Sequence, residues 1–315
     1  MERYRNYSRH LQAKFGEKVY KLPVNLPGTC PNRDGTVGRG GCIFCDEAGA
    51  GFECLPSSLA VEDQIKTNQA FFRRRFNAHK FIVYFQAFTN TYLPLELFRN
   101  YMEAAARQPD IVGLSISTRP DCINEAYLDV LSQWQEQGLN INVELGLQTV
   151  NYHTLREINR GHTLAEYIDA VWRLKRRGFE VCTHIILNLP GDDLVDVIEN
   201  AKILSALEID YVKLHSLYIV KETELGRRFE RGEINLISLS EYVDRVVAFL
   251  EYLRPETVIQ RLVGKGPQGE MYFCNWNTSW WKIKQMIEER LEALDTWQGK
   301  KCDYLNGKAV RRFLD

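Results

Sequence analysis

Three cysteines stand close together near the start of the chain. The segment runs Cys30-Pro-Asn-Arg-Asp-Gly-Thr-Val-Gly-Arg-Gly-Gly-Cys42-Ile-Phe-Cys45. Two residues separate Cys42 from Cys45, a spacing that lets two thiolates converge on one metal centre. Eleven residues separate Cys30 from Cys42, a loop holding Gly35, Gly38, Gly40 and Gly41. Glycines there let the backbone fold tightly around a bound group. The thiols alone admit three readings. Buried cysteines can be simple apolar filler. A structural zinc takes four ligands, and Cys54 is the one thiol near enough in sequence to be the fourth. An iron–sulfur cluster held by three thiolates leaves one iron open to a small molecule, and soft thiolates suit it. Phe44, directly before Cys45, would shield such a cluster from water. Cys122, Cys182, Cys274 and Cys302 show no pair spacing.

The rest of the chain must position these thiols. It has 315 residues, 45% hydrophobic and 26% charged, the balance of an ordinary folded protein rather than a disordered one. Forty basic side chains face 41 acidic ones, for a net charge of −1. Overall charge therefore gives no argument for nucleic acid, and only a local basic face would. No apolar run approaches the roughly 18–20 residues that cross a bilayer. The first residues lead into no signal-like apolar core. A cytoplasmic protein with no membrane partner is expected, and its eight cysteines then point away from a disulfide scaffold.

Short apolar runs alternate with amphipathic stretches. Strands are expected at Val19–Val24, Phe81–Phe85, Ile111–Ser117, Ile141–Leu147, Glu180–Leu187 and Tyr211–Leu214. Helices are expected near Ala60–Arg75, Leu95–Arg107, Glu125–Gln135, Thr163–Arg177, Leu194–Ala206 and Ser238–Leu253. That rhythm is one of repeated βα units on a parallel sheet. The fold class expected is α/β, a partial six-unit barrel of the (β/α)6 type with a C-terminal helical appendage. Residues 1–253 would form the core, with the cysteine loop at 30–45. Residues 254–315 would pack on it, with one more helix near Ser279–Leu294.

Further motifs sit where strands should end. They are Ser115-Ile-Ser-Thr-Arg-Pro-Asp-Cys122, Glu144-Leu-Gly-Leu-Gln148-Thr149, Asn159-Arg160-Gly161-His162, and the run from Thr183 and His184 through Asn188 and Pro190 to Asp192. In parallel sheets functional groups gather at the carboxyl ends of strands. Together with the cysteines, these segments resemble the radical S-adenosylmethionine (SAM) superfamily. The resemblance is to the branch related to the radical-SAM domain of the Elongator catalytic subunit, and within it to a bacterial YtqA/YhcC-type group. It spans roughly Arg5 to Trp281. Three departures are visible, one being Asn188 where the family's strand usually has a glycine before Leu-Pro-Gly. The gap between the first two cysteines is longer than the commonest form, and Gln86-Ala-Phe-Thr-Asn-Thr-Tyr92 stands where the family usually has Gly-Gly-Glu.

The resemblance implies that Cys30, Cys42 and Cys45 bind one 4Fe–4S cluster. It places Gln86, Ser117, Glu144, Gln148, Arg160 and His184 around SAM, with Arg160 on the SAM carboxylate. Tyr92, Arg119, His215 and Tyr218 would line a substrate pocket. A one-electron donor such as a flavodoxin would reduce the cluster, SAM would yield a 5′-deoxyadenosyl radical, and the protein would bind and orient both. The branch further implies a tRNA partner, with the wobble uridine side chain converted from carboxymethylaminomethyl to aminomethyl. Basic residues such as Arg3, Arg5, Arg9, Arg73–Arg75 and Lys175–Arg177 would suit phosphates. Tyr92, Tyr218, Trp276, Trp280 or Trp281 would suit an unpaired base. Two alternatives remain at this point: a radical SAM enzyme on a small molecule such as a porphyrin precursor, and a zinc-stapled RNA-binding module without catalysis.

Overall fold

The computed structural model describes residues 2–46, 53–266 and 271–313. Its helices are α1 (Tyr7–Phe15), α2 (Pro31–Asp34), α3 (Val61–Phe76), α4 (Leu95–Ala106), α5 (Glu125–Glu136), α6 (Tyr152–Glu157), α7 (Leu164–Arg176), α8 (Leu194–Ala206), α9 (Glu224–Glu230), α10 (Leu239–Tyr252) and α11 (Trp280–Ala293). Its strands are β1 (Val19–Val24), β2 (Lys80–Phe85), β3 (Ile111–Thr118), β4 (Asn140–Gln148), β5 (Glu180–Ile186), β6 (Tyr211–His215), β7 (Tyr218–Val220), β8 (Val258–Arg261) and β9 (Met271–Cys274).

Seven strands form one parallel sheet in the order β1-β2-β3-β4-β5-β6-β8. It curls into the expected partial barrel, with one strand more than the six read from the sequence. The extra strand, β8, lies in the stretch read as an appendage. It shows only two apolar residues, Val258 and Ile259, before Gln260 and Arg261, too few for a period to stand out. A separate ribbon pairs β7 and β9 antiparallel.

Alternation along the strands sorts the two faces. Leu114, Ile116, Val143, Leu145, Val181, Ile185, Val212 and Leu214 are buried in the main core. The helices pack there by their apolar stripes, as α4 does with Phe98, Met102 and Ala105. The residues between are polar: Ser115 and Ser117, Asn142 and Glu144, Cys182 and His184, Lys213 and His215. Strands of a parallel sheet are normally apolar on both faces. A polar inner face departs from that rule and marks the lumen as a site.

Helix boundaries follow local chemistry. Thr163 and Glu166 form a capping box that starts α7, and Arg173, Lys175 and Arg176 fill its last turn, which favours cations at the negative end of the helix dipole. The gap between the edge strands β1 and β8 is filled by α1, which touches both. Just before it, Asn6 makes a parallel bridge to Ile259. α11 packs on α10. No helix among the described residues is long and apolar enough to cross a membrane.

Candidate functional site

The three cysteines lie on a loop docked against the turn after α6. Cys30 precedes α2, whose first residue is Pro31. Gly41 has φ of 80°, a conformation glycine adopts at little cost, and its N–H donates to the Asn32 carbonyl at 2.8 Å. The Asn159 side chain donates to the Gly41 carbonyl at 2.7 Å, and Asn32 donates to the Asn159 carbonyl at 2.6 Å. Ile43 donates to Ile158 at 3.1 Å, and Leu225 donates to Ile43 at 2.8 Å. These bonds hold Cys42 buried and Cys30 and Cys45 half-buried.

Each of the three thiols has its own guanidinium. Arg160 Nη1 lies 3.3 Å from Cys42 Sγ, Arg33 Nη1 3.9 Å from Cys45 Sγ, and Arg119 Nη1 4.0 Å from Cys30 Sγ. Asp121 grips Arg119 with both oxygens, at 2.8 and 2.7 Å, a fork that fixes its direction. The second Arg160 nitrogen, Nη2, donates to the Gly146 carbonyl at 2.5 Å. A Cβ on residue 146 would stand 2.7 Å from that nitrogen, so a side chain there would have to push the guanidinium aside. The Glu-x-Gly-x-Gln motif thus makes room for an arginine.

Three thiols on one part of the cavity wall match a cluster that leaves one iron open, whereas a structural zinc takes four ligands. A cluster places each thiolate on a separate iron. Burial, with Cys42 beside it, pushes the Cys45 thiol up to about 12. A cationic centre is what would ionise it.

These cysteines open into one cavity of about 980 Å³, at the upper end of small-molecule sites. Of the residues expected around SAM, Gln86, Ser117, Gln148, Arg160 and His184 line it. Gln148 has φ of 81°, an uncommon conformation for a residue with a side chain. In place of Gly-Gly-Glu, Asn90 pins its loop by donating to the carbonyls of Phe85, Ala87 and Ser117, leaving Gln86, Phe88 and Thr89 on the cavity wall. Of the residues expected at the substrate, Arg119, His215 and Tyr218 line the cavity. Tyr92 is not among its lining residues. Its hydroxyl is taken by Asp34 at 2.9 Å and Thr36 at 2.7 Å, so it tethers the cysteine loop.

Glu144 also departs from the expectation. It is 0% exposed and lies beneath the cavity wall, because two lysines claim it. Lys21 bonds one oxygen and Lys213 the other at 2.5 Å. Ser115 donates at 2.9 Å, and His184 Nε2 stands 2.7 Å away. Despite burial, the lysines hold the carboxyl well below its usual range. Glu144, Cys182 and His184 are close enough to hold an ion, but the two ammoniums already occupy the carboxylate, and burial raises the Cys182 thiol. Burial lowers His184 to about 4 and takes His215 well below its usual value, helped by Arg261. Both rings are neutral at pH 7.

Lys21, Arg33, Lys213 and Arg261 were not singled out by sequence as site residues. Lys213 had a signal: it alternates with His215 inside an apolar strand, and β5 and β6 set it beside His184. Several of the basic residues read as phosphate contacts are paired with carboxylates, as Arg73 with Asp110, Lys175 with Asp210 and Arg177 with Glu125. Trp276 is committed to the Ile237 carbonyl at 2.8 Å. Trp280 and Trp281 are exposed.

Residues 27–204 match the model of the Radical SAM superfamily, and residues 209–293 match the Radical_SAM C-terminal domain. The chain is 37% identical to "Uncharacterized protein YtqA" of Bacillus subtilis, over 95% of this chain and 92% of that protein. It is 35% identical to "Protein YhcC" of Escherichia coli, over 86% of each. A tRNA uridine(34) acetyltransferase of Methanocaldococcus jannaschii is 29% identical over 47% of this chain and 27% of its own length. Among solved structures, Elp3 of Methanocaldococcus infernus superposes with a TM-score of 0.69 at 18% identity, covering 89% of this chain and 64% of that one. With its cluster-spaced thiols, its partial barrel and these matches, the chain belongs to the radical SAM superfamily, in the YtqA/YhcC-type group, and takes one 4Fe–4S cluster and SAM.

Proposed function

We propose that this enzyme modifies the wobble uridine of tRNA, converting a carboxymethylaminomethyl side chain to aminomethyl. The N–CH2 bond of the carboxymethyl group is oxidised by two electrons and hydrolysed, its two carbons leave as glyoxylate, and the two electrons pass to SAM, giving 5′-deoxyadenosine and methionine. The observation that carries the reading is the lumen itself. One continuous cavity holds the three cysteines at one part of its wall and a cationic, polar inner face at another. That arrangement suits SAM beside an anionic second molecule. The partial likeness to a tRNA uridine(34) acetyltransferase supports a uridine as that molecule.

Bound cluster and SAM supply a 5′-deoxyadenosyl radical for abstracting hydrogen from an unactivated C–H bond. The chain's own residues do the rest. Cys30, Cys42 and Cys45 ligate the cluster. Arg160 orients the SAM carboxylate, and Gln148 and His184 face its ribose side. Arg33, Arg119 and Arg160 place positive charge beside the thiolates, which favours the more negative, reduced cluster. The lumen walls and α1 exclude water and stray reductants. The enzyme needs a one-electron reductant, for which a flavodoxin-type donor is the fitting class.

The test begins with anaerobic reconstitution, iron counting and a search for 5′-deoxyadenosine. About four irons per chain, with iron and product lost in Cys42→Ala, support the cluster assignment. Tightly held zinc without deoxyadenosine would refute it. Nucleoside analysis of tRNA from a deletion strain then tests the substrate. Accumulated carboxymethylaminomethyluridine supports the reading, and an unchanged profile refutes it.

A further inference from the structure

The inner face carries more positive charge than it neutralises. Lys21, Lys213 and Arg261 line the cavity, and Glu144 is the one carboxylate bonded among them. Both lysines spend their charge on it. Arg261 has no carboxylate partner among the described residues. Its Nη2 lies 2.8 Å from His215 Nδ1. His215 Nε2 lies 3.3 Å from His184 Nδ1, and His184 Nε2 meets Glu144.

Arg261 donates to His215 Nδ1, and its Nη2 also lies 3.2 Å from Nε2 of the same ring. His215 and His184 stack with their centroids 5.1 Å apart, and neutral rings bring no counter-charge to the guanidinium. The rings position Arg261 but do not neutralise it. Its remaining Nη1 donors have no partner among the described residues, and its Nε is buried and unbonded, as is the neighbouring Gln260 Nε2. These three cations thus have a single bonded anion among them, Glu144; of the carboxylates on the cavity wall itself, Asp46 and Glu53, the second is paired with Lys265. An uncompensated guanidinium in a partly closed lumen is costly unless a ligand brings the missing negative charge.

We propose that Arg261, backed by Lys213, is a carboxylate-binding subsite for the substrate, distinct from the SAM carboxylate position at Arg160. The two are separated by chemistry: Arg160 stands against Cys42, where SAM must reach the open iron, whereas Arg261 stands on the last strand against His215. The proposal rests on the wobble-uridine reading, which it sharpens. The carboxymethylaminomethyl group ends in a carboxylate, and the aminomethyl product is a cation at neutral pH. The same guanidinium therefore attracts substrate and repels product, so the subsite both selects the acid and promotes release.

The test compares anticodon stem–loops bearing the acid, its methyl ester or the aminomethyl group, by equilibrium binding to the cluster-loaded enzyme with SAM. The wild type should bind the acid about tenfold more tightly than the ester and bind the amine most weakly. Arg261→Gln should bring acid and ester within about twofold, Arg261→Lys should restore part of the preference, and SAM affinity should not change in either. The ester comparison needs no variant, so a folding defect in Arg261→Gln cannot mask the answer. Equal binding of acid and ester by the wild type overturns the subsite while leaving the tRNA reading intact. If no stem–loop binds, N-methylglycine is the second probe, read by the ring-nitrogen signals of His215. A shift that vanishes in Arg261→Gln keeps the subsite and removes the wobble-uridine reading. No shift overturns both.

Discussion

Removing the Glu144 charge tests whether the lumen is organised as described. Glu144 is fully buried, with Lys21 on one oxygen and Lys213 on the other. In Glu144→Gln the shape is kept and the charge lost, leaving two ammoniums without a counter-ion. Breaking a buried pair in this way costs about 3–5 kcal/mol. For a chain of 315 residues the unfolding entropy is about 0.7 kcal/mol/K. The expected fall in melting temperature is therefore roughly 4–7 °C, measured by differential scanning calorimetry of the anaerobically prepared protein. Adding Lys213→Met removes one of the stranded charges, so the double variant should recover at least about 1 kcal/mol, a coupling typical of contacting residues. A single variant within about 1 kcal/mol of wild type, or strict additivity in the double, would refute the counter-ion role.

Three further outcomes are expected. Gly226→Ala should cost about 1–3 kcal/mol, because its Cβ would lie 2.4 Å from the backbone oxygens of both Val220 and Lys221; urea unfolding reads this, and an unchanged midpoint counts against it. Gly146→Ala should displace Arg160 from the Gly146 carbonyl and weaken SAM binding by about tenfold at unchanged iron content, and equal SAM affinity would refute the Arg160 assignment. Burial raises Asp192 from 3.8 to about 6 in the folded chain, against the lowering effect of Thr154. Its contribution to stability is fully present below about pH 4 and is lost as pH rises through about 6. Asp192→Asn should flatten that part of the stability–pH profile by up to about 3 kcal/mol, and an unaltered slope would sink the assignment.

The cysteine loop and the strand-end motifs were legible because their meaning is local: spacing, glycine content and position at the end of an apolar run. The inner face was not, because its members converge from distant strands. Lys21, Glu144, Lys213 and Arg261 belong to β1, β4, β6 and β8, and only the sheet order brings them together. Glu144 was read as a SAM contact because its motif is visible and its two lysines are not. Tyr92 was read as a pocket residue because an aromatic near a strand end looks available, while the two oxygens that claim its hydroxyl sit on another loop. β8 escaped because a four-residue strand with two polar residues carries no period. Its consequence is large, since it brings Arg261 into the lumen.

The closure of the barrel joins residues that are far apart in the sequence. Ile259 donates to the Arg5 carbonyl at 2.8 Å, and Gln298 donates to the Arg3 carbonyl at 2.8 Å. The Gln298 side chain accepts from Arg5 at 3.0 Å and donates to Arg254 and Thr257 at 2.7 and 2.8 Å. Arg3 and Arg5 are translated long before Ile259 and Gln298 and find these partners only after the intervening chain has followed. Contacts so distant in sequence are expected to form late. The cysteines therefore emerge long before the lumen closes over them, and iron and sulfide can be delivered to an open half-vessel before the final clasp is fastened. Trimming the chain before Gln298 would undo that clasp at both ends at once.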